Sequence, residues 1–203
     1  MIYYITVVLS RILFNLLFKK VVVRNEETFK KLKEKTGFIL APNHISNFDP
    51  VFVGAYAPPK IHFLAKKELF QNFFLGWGLR QLNALPINRA VPEKSILKHI
   101  IALLKEKEAV LVFPEGTRSK DGNLKEAKAG ICMMASKAKV PILPCFVCGT
   151  NQKNGFFSRP TLTLTFGDPV YLDEFFAKAK LSKDDYRLMG EKIMSGIADA
   201  KQL

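Results

Sequence analysis

The stretch PNHISNFDP, residues 42 to 50, contains the two side-chain types that a positioned proton transfer requires, His44 and Asp49. Histidine is the side chain whose ordinary pKa lies near neutrality, so it takes and returns a proton at physiological pH. A carboxylate bonded to one ring nitrogen fixes the tautomer and stabilises the imidazolium that forms. An offset of five residues separates the two by about 140° in a continuous helix and places them on opposite faces of a strand. They meet only across a turn, and the sequence supplies one. GFILAP reads as a strand, NHISN as a loop, and Asp49-Pro50 as an N-cap and first helical residue before VFVGAY. On these residues alone, Asp49 as a simple helix cap and His44 as an ordinary loop residue is an equal reading.

A second stretch, VLVFPEGTRSKDG, is a buried strand running into a loop with Glu115, Gly116, Thr117 and Arg118. A carboxylate, a hydroxyl and a guanidinium thus stand together at a strand end. Arginine in such a loop suits bidentate contact with phosphate, and the glycine lets the backbone come close. The competing expectation is a surface ion pair between Glu115 and Arg118. His62 and His99 lack a partner pattern and read as structural.

The elements that must position these residues alternate along the chain. Strands are expected at GFILAP, IHFLA, NALPI, AVLVFP, PILPCFV and TLTLTF, and helices near 25–35, 50–57, 92–107, 125–138 and 182–200. This is an α/β pattern: a single mixed sheet flanked by helices. With 203 residues and 48% apolar content the chain buries one sizeable core. In the helix near 92–107, Ile96, Ile100, Leu103 and Leu104 form the stripe expected to be buried. The cysteines, Cys132, Cys145 and Cys148, are an odd number, which argues for a reducing compartment and packing roles.

The first eighteen residues, MIYYITVVLSRILFNLLF, are almost all apolar and lead into Lys19, Lys20 and Arg24. The charge follows the apolar run, the reverse of a secretory signal, so the segment reads as retained. Arg11 at its centre disfavours a full span, and a helix lying in or dipping into one leaflet is expected, with Arg11, Asn15 and Lys19 toward the headgroups; an ordinary core helix is the alternative. Residues 1–24 then form a membrane-associating helix with a basic flank, and 25–203 the catalytic domain. The flanking lysines imply the cytoplasmic face, the inner membrane in a bacterium. KKELFQNFFLGWGLRQLN adds a cluster of Phe70, Phe73, Phe74, Leu75, Trp77 and Leu79 between Lys67 and Arg80, which suits a lipid interface, an acyl channel or core packing.

The net charge of +13 calls for an anionic partner. Nucleic acid is disfavoured, because the aromatics sit in apolar runs and are not interleaved with basic residues on a strand. No metal-ligand cluster and no nucleotide-binding glycine loop is present in the sequence.

Four motifs, NHISNFD, PINR, FPEGTRS and VPILP, stand in the order and at about the spacing of those in the glycerolipid acyltransferase family, and residues 38–150 resemble it. The resemblance implies transfer of a fatty acyl group from an acyl thioester to the free hydroxyl of a lysophosphatidic acid-type acceptor. It implies that His44 is the base and Asp49 its orienting partner. It implies that Arg89, Glu115, Gly116 and Arg118 serve the acceptor's glycerol phosphate, and Thr117 of the same loop is expected to bind the phosphate with them. Val140, Pro141, Ile142, Leu143 and Pro144 would lie near the acyl-binding region. No cofactor is implied beyond the co-substrate, acyl-CoA or acyl carrier protein. The chain departs from the family in having Asn83 where glycine is common and Ala127 where an aromatic is common. A backbone N–H near the start of the helix at 50–57 is the candidate for holding the thioester oxyanion. Acylation of another lyso-lipid or of glycerol 3-phosphate, and lipid binding without catalysis, are the alternatives.

Overall fold

Side-chain alternation decides how the central strand sits. In β2 (Phe38–Pro42) the side chains of Phe38 and Leu40 join one apolar cluster and those of Ile39 and Ala41 another, so the strand is buried on both faces. A strand covered on both sides reads as a continuous apolar run, as FILAP does. The structure, a computed structural model, describes residues 2–57, 60–87, 94–152 and 159–203.

Beside β2 lie β5 (Ala109–Leu111) and β6 (Ile142–Cys148), both parallel to it. Outward from β5 come β3 (Ile61–Lys66) and β4 (Ala84–Ile87), again parallel. Outward from β6 come β7 (Thr161–Phe166), antiparallel to it, and β1 (Lys20–Arg24), parallel to β7. The resulting order among the described residues is β1-β7-β6-β2-β5-β3-β4. The mixed α/β sheet expected from the sequence is present, and all six expected strands appear. β1 was not expected: its residues, KVVVR, lie in the stretch read as a basic flank.

Helices cover both faces. α1 (Ile2–Leu17), α2 (Glu26–Lys35), α3 (Asp49–Tyr56) and α4 (Phe73–Gln81) close over the face with Phe38, Phe63, Leu143 and Leu164. On the other face α5 (Lys94–Lys105), α6 (Ala129–Ala138) and α8 (Lys183–Ala200) cover Ile39, Val110 and Ile142, with the short α7 (Asp173–Phe176) beside them. α8 contributes Met189, Ile193 and Ile197 at helical spacing, all fully buried. Its start is fixed by a reciprocal capping box between Ser182 and Asp185. Ile100 and Leu104 of α5 are buried, whereas Ile96 and Leu103 are only partly so. Cys145 is buried and Cys148 exposed, since an offset of three along a strand points side chains to opposite faces, and the three cysteines are free thiols.

Two local departures bear on the site. The helix expected from residue 125 begins at Ala129; Lys128 is extended and its N–H donates to the Pro114 carbonyl at 2.8 Å, so residues 125–128 run as a loop beside the end of β5. Asn83 has φ 58, the left-handed conformation that favours glycine and that asparagine tolerates.

α1 packs on α3 through Phe14, 5.5 Å from Phe52 between ring centroids, and Val7 and Phe18 are buried in the same cluster. Arg11 and Asn15 are exposed, and both also contact α3. The Arg11 Nε donates to the Ala55 carbonyl at 2.6 Å and its guanidinium lies 5.5 Å from the Tyr56 ring centre, while Asn15 accepts from the Tyr56 hydroxyl at 3.2 Å. These exposed polar groups border the stripe that α1 buries against α3. No helix among the described residues is long and apolar enough to cross a membrane.

Candidate active site

Three adjacent parallel strands, β6, β2 and β5, end on the same side of the sheet, and the segments leaving them meet there. That edge is the usual location of a site in an open α/β sheet. β2 supplies Asn43 through Asp49, β5 leads to Phe113 through Ser119, and β6 leads to Thr150.

His44 and Asp49 face each other across the turn. Asp49 Oδ2 lies 2.8 Å from His44 Nδ1 and accepts the backbone N–H groups of Ile45 and Ser46 at 2.7 Å each. An ionised carboxylate only accepts, so Nδ1 carries the hydrogen and Nε2 is left with its lone pair. The second oxygen of Asp49, Oδ1, accepts from the Thr150 hydroxyl at 2.5 Å. Asp49 is fully buried and His44 is 6% exposed.

The sequence placed Asp49 as the helix N-cap, and this is corrected by the structure. Asp49 is the first residue of α3, the cap position is Phe48, and no side chain caps the helix. Its carboxylate turns back to the preceding loop instead. Several amides near the helix start are already engaged. The amides of Ile45 and Ser46 serve Asp49, that of Phe48 donates to Ser46 Oγ, that of Asp49 to the Ser46 carbonyl, and residue 50 is proline.

The loop after β5 grips His44 by its backbone. Glu115 Oε1 accepts the His44 N–H at 3.1 Å, and the Ser119 N–H donates to the His44 carbonyl at 2.7 Å. The ring is stacked on Phe113, with centroids 3.9 Å apart and planes at 23°. Backbone and ring are therefore fixed independently of any substrate. Glu115 is 1% exposed, and burial raises its carboxyl pKa against the opposing pull of the His44 and Lys125 amides. Facing inward, it forms no ion pair with Arg118, which is exposed together with Gly116 and Thr117. Gly116 has φ +69, so this turn favours glycine. Beyond it, hydrogen bonds from Ser119 and Asn123 hold Asp121 and lower its carboxyl pKa to about 2.

A cavity of about 640 Å³ opens beside His44. Leu64, Ile87, Leu111, Ile131 and Met134 make its walls mainly apolar, while Gly116 and Lys128 belong to its polar part. Such a cavity is within the range that accepts a drug-sized or lipid-like ligand. Val140, Pro141, Ile142, Leu143 and Pro144 do not line it. They are buried in the sheet and against α8, where a Cβ added at Gly196 would lie 2.8 Å from Pro144 Cγ. Arg89 lies outside the described residues, two positions beyond β4. Thr150, Asn43 and Phe113 escaped the sequence reading, because Thr150 is 101 residues from its partner and the other two carry no chemical signature of their own.

A buried histidine with an oriented carboxylate, open to an apolar cavity and bordered by Lys128, is suited to an enzyme that deprotonates a bound hydroxyl. The Acyltransferase family model matches residues 20–148, and the chain belongs to this family. Similar proteins include the 1-acyl-sn-glycerol-3-phosphate acyltransferase of Bacillus subtilis, 36% identical over 148 residues that cover 72% of this chain and 73% of that protein. The Streptococcus pneumoniae enzyme of the same name is 34% identical over 72% of this chain and 55% of its own length. The crystal structure of the 1-acyl-sn-glycerophosphate acyltransferase PlsC from Thermotoga maritima superposes with a TM-score of 0.75 at 28% identity, covering 98% of this chain and 78% of that one.

Proposed function

We propose that this protein transfers a fatty acyl group from an acyl thioester to the free hydroxyl of 1-acyl-glycerol 3-phosphate, giving phosphatidic acid for phospholipid synthesis. The observation that carries the reading is the buried Asp49–His44 pair opening on an apolar cavity. In the reaction Nε2 of His44 takes the hydroxyl proton as the oxygen attacks the thioester carbonyl. The carbon–sulfur bond of the tetrahedral species then breaks, and the imidazolium returns the proton to the departing thiolate. Asp49 stabilises the imidazolium between these steps. The acyl chain occupies the cavity walled by Leu64, Ile87, Ile131 and Met134, a better place for it than the buried Val140–Pro144 segment. The donor is acyl-CoA or acyl carrier protein, each acidic and suited to a chain of charge +13. An assay of lysophosphatidic acid, other lyso-lipids and glycerol 3-phosphate against both donors tests the reading. Product from lysophosphatidic acid supports it, and binding of these lipids with no acyl transfer under any pairing overturns it.

Arg118, with Arg89 from the second motif, holds the acceptor phosphate, while Gly116 and Thr117 shape that loop; Glu115 supports the site from beneath. Lysine keeps the charge of arginine but loses its planar fork. A charge-assisted hydrogen bond contributes about 1.5–3 kcal/mol. Arg118→Lys therefore raises KM for the acceptor about tenfold, with little change in KM for the donor, and Arg89→Lys does the same. Steady-state kinetics with each substrate varied separately check this. A defect confined to the donor moves these arginines to the thioester side.

The lipid contact belongs to residues 1–24 and α4, and the chemistry to residues 25–203. α1 exposes Val8, Leu9, Ile12, Leu13 and Leu16, and α4 exposes Phe73, Phe74 and Trp77, Phe74 at 82%. An apolar surface of this kind, flanked by Lys19 and Lys20, fits a helix pair lying in the boundary of an anionic leaflet on the cytoplasmic face, the inner membrane in a bacterium. Burying one large apolar side chain contributes about 1.5–3 kcal/mol. Phe73→Asp with Phe74→Asp, and separately Leu9→Asp with Leu13→Asp, therefore weaken sedimentation with phosphatidylglycerol vesicles by at least roughly tenfold. These exposed positions are better probes than truncation, since Phe14 and Phe18 belong to the core. Unchanged sedimentation of both variants removes this surface from the lipid contact.

A further inference from the structure

Outside the four motifs, Thr150 is buried at the end of β6 with its hydroxyl directed at Asp49. We propose that Thr150 is a positioning residue of the reaction, which aims the Asp49 carboxylate and through it the His44 imidazole. The inference rests on the general-base reading above and adds a member to that site.

The two oxygens of Asp49 are unequally served. Oδ2 meets His44 Nδ1 and the amides of Ile45 and Ser46, whereas Oδ1 has the Thr150 hydroxyl at 2.5 Å as its donor. Asp49 has no exposure to water, so no solvent molecule stands ready to replace that hydroxyl. Without it, one oxygen of a buried carboxylate is left unpartnered, a costly state relieved by rotation of the group or by uptake of a proton. Either response loosens the bond to Nδ1 and lets the imidazole leave the orientation in which Nε2 faces the substrate.

The surrounding backbone is arranged for this contact. Regular pairing of β2 with β6 ends at Pro42 opposite Cys145. Asn43 continues it with its side chain, donating to the Val147 carbonyl at 3.0 Å and accepting the Val147 N–H at 2.6 Å. The register between β2 and β6 is thereby fixed up to the turn. Gly149 then adopts φ +91, and a Cβ there would lie 2.3 Å from the Thr161 carbonyl oxygen, so only glycine fits. That turn brings Thr150 over the end of β2, three residues past the Asn43 clamp. No comparable framework is needed for a threonine that merely packs.

Thr150→Val keeps the shape and removes the hydroxyl, and Thr150→Ser keeps the hydroxyl. Removing an outer partner of an oriented histidine in metal sites lowers activity by roughly 10–100-fold. We expect kcat of Thr150→Val to fall about tenfold or more, with KM for both substrates within about twofold of the unmodified protein and with Thr150→Ser close to it. Thr150→Ala carries the same reading if the valine variant fails to fold. Wild-type kcat in Thr150→Val or Thr150→Ala, equal losses in the serine and valine variants, or a change confined to one KM each overturns the proposal. His44→Ala, assayed in parallel, reports separately on the general-base reading: retained turnover there removes the chemistry on which the proposal rests, whatever Thr150 does.

Discussion

His44→Ala lowers kcat by about 10²–10⁴-fold, the usual contribution of a positioned general base, while the protein remains folded. The separation of these two outcomes follows from how the residue is held. Its N–H is bound by Glu115 Oε1 and its carbonyl by the Ser119 N–H, and alanine keeps both groups. Asp49 Oδ2 retains the amides of Ile45 and Ser46, and Oδ1 retains Thr150, so loss of the imidazole leaves no buried carboxylate oxygen without a donor. What disappears is the ring stacked on Phe113 at 3.9 Å, and the resulting loss of packing costs stability without rearranging the loop. The acceptor hydroxyl would still bind, because the groups assigned to its phosphate lie on a different segment. Turnover and thermal midpoint measured together decide the matter. A variant retaining a tenth of the turnover removes His44 from proton transfer, and a collapse of the midpoint shows that its role is structural.

How far this arrangement was legible depends on the distance over which each part is determined. The His44–Asp49 meeting could be read because a buried strand, a turn and a proline lie within a few residues, and no regular element lets an offset of five converge. The remaining partners of the Asp49 carboxylate could not be read. An aspartate before proline at a helix start looks like a cap, but its oxygens take the amides of Ile45 and Ser46 and the hydroxyl of Thr150, which β6 brings in from 101 positions away. Glu115 is a similar case: in EGTR it stands beside an arginine, but the fold turns it under the His44 amide and leaves Arg118 outside. β1 escaped notice because KVVVR follows an apolar helix and is stabilised as a strand by β7, far along the chain. α4 was visible as an apolar cluster but not as a helix, since Gly76 and Gly78 weaken the local signal; Gly76 is there because a Cβ would lie 2.6 Å from the Phe70 carbonyl oxygen. Arg11 and Asn15 illustrate the limit of amphipathic reasoning. Both stay exposed on α1, but their partners on α3, the Ala55 carbonyl and the Tyr56 hydroxyl, could not be read from the helix alone.

Asp49→Asn and Asp49→Ala separate the charge of this residue from its hydrogen bonds. In the asparagine variant the side-chain oxygen must take the Oδ2 position, because the two backbone amides there can only donate. The NH₂ group then faces Thr150, whose hydroxyl turns from donor to acceptor, and the loop keeps its bonds. His44 Nδ1 still finds an acceptor, so the tautomer is preserved. The negative charge that stabilises the imidazolium is lost, and we expect kcat to fall about 10²-fold, at the lower end of general-base effects. Alanine removes both oxygens and leaves the amides of Ile45 and Ser46 and the hydroxyl of Thr150 without their acceptor in a buried site. Each buried group left unsatisfied costs about 1–3 kcal/mol, so this variant loses several kcal/mol of stability as well as a further tenfold or more in kcat. Neither substitution removes a helix cap, since none is made by this side chain. Thermal midpoints and kcat of the two variants provide the check. Full activity in Asp49→Asn shows that the charge is immaterial to the reaction. Equal stability of the two variants shows that the carboxylate does not hold the loop, and the aim of His44 must then come from Phe113 and the backbone clamp alone.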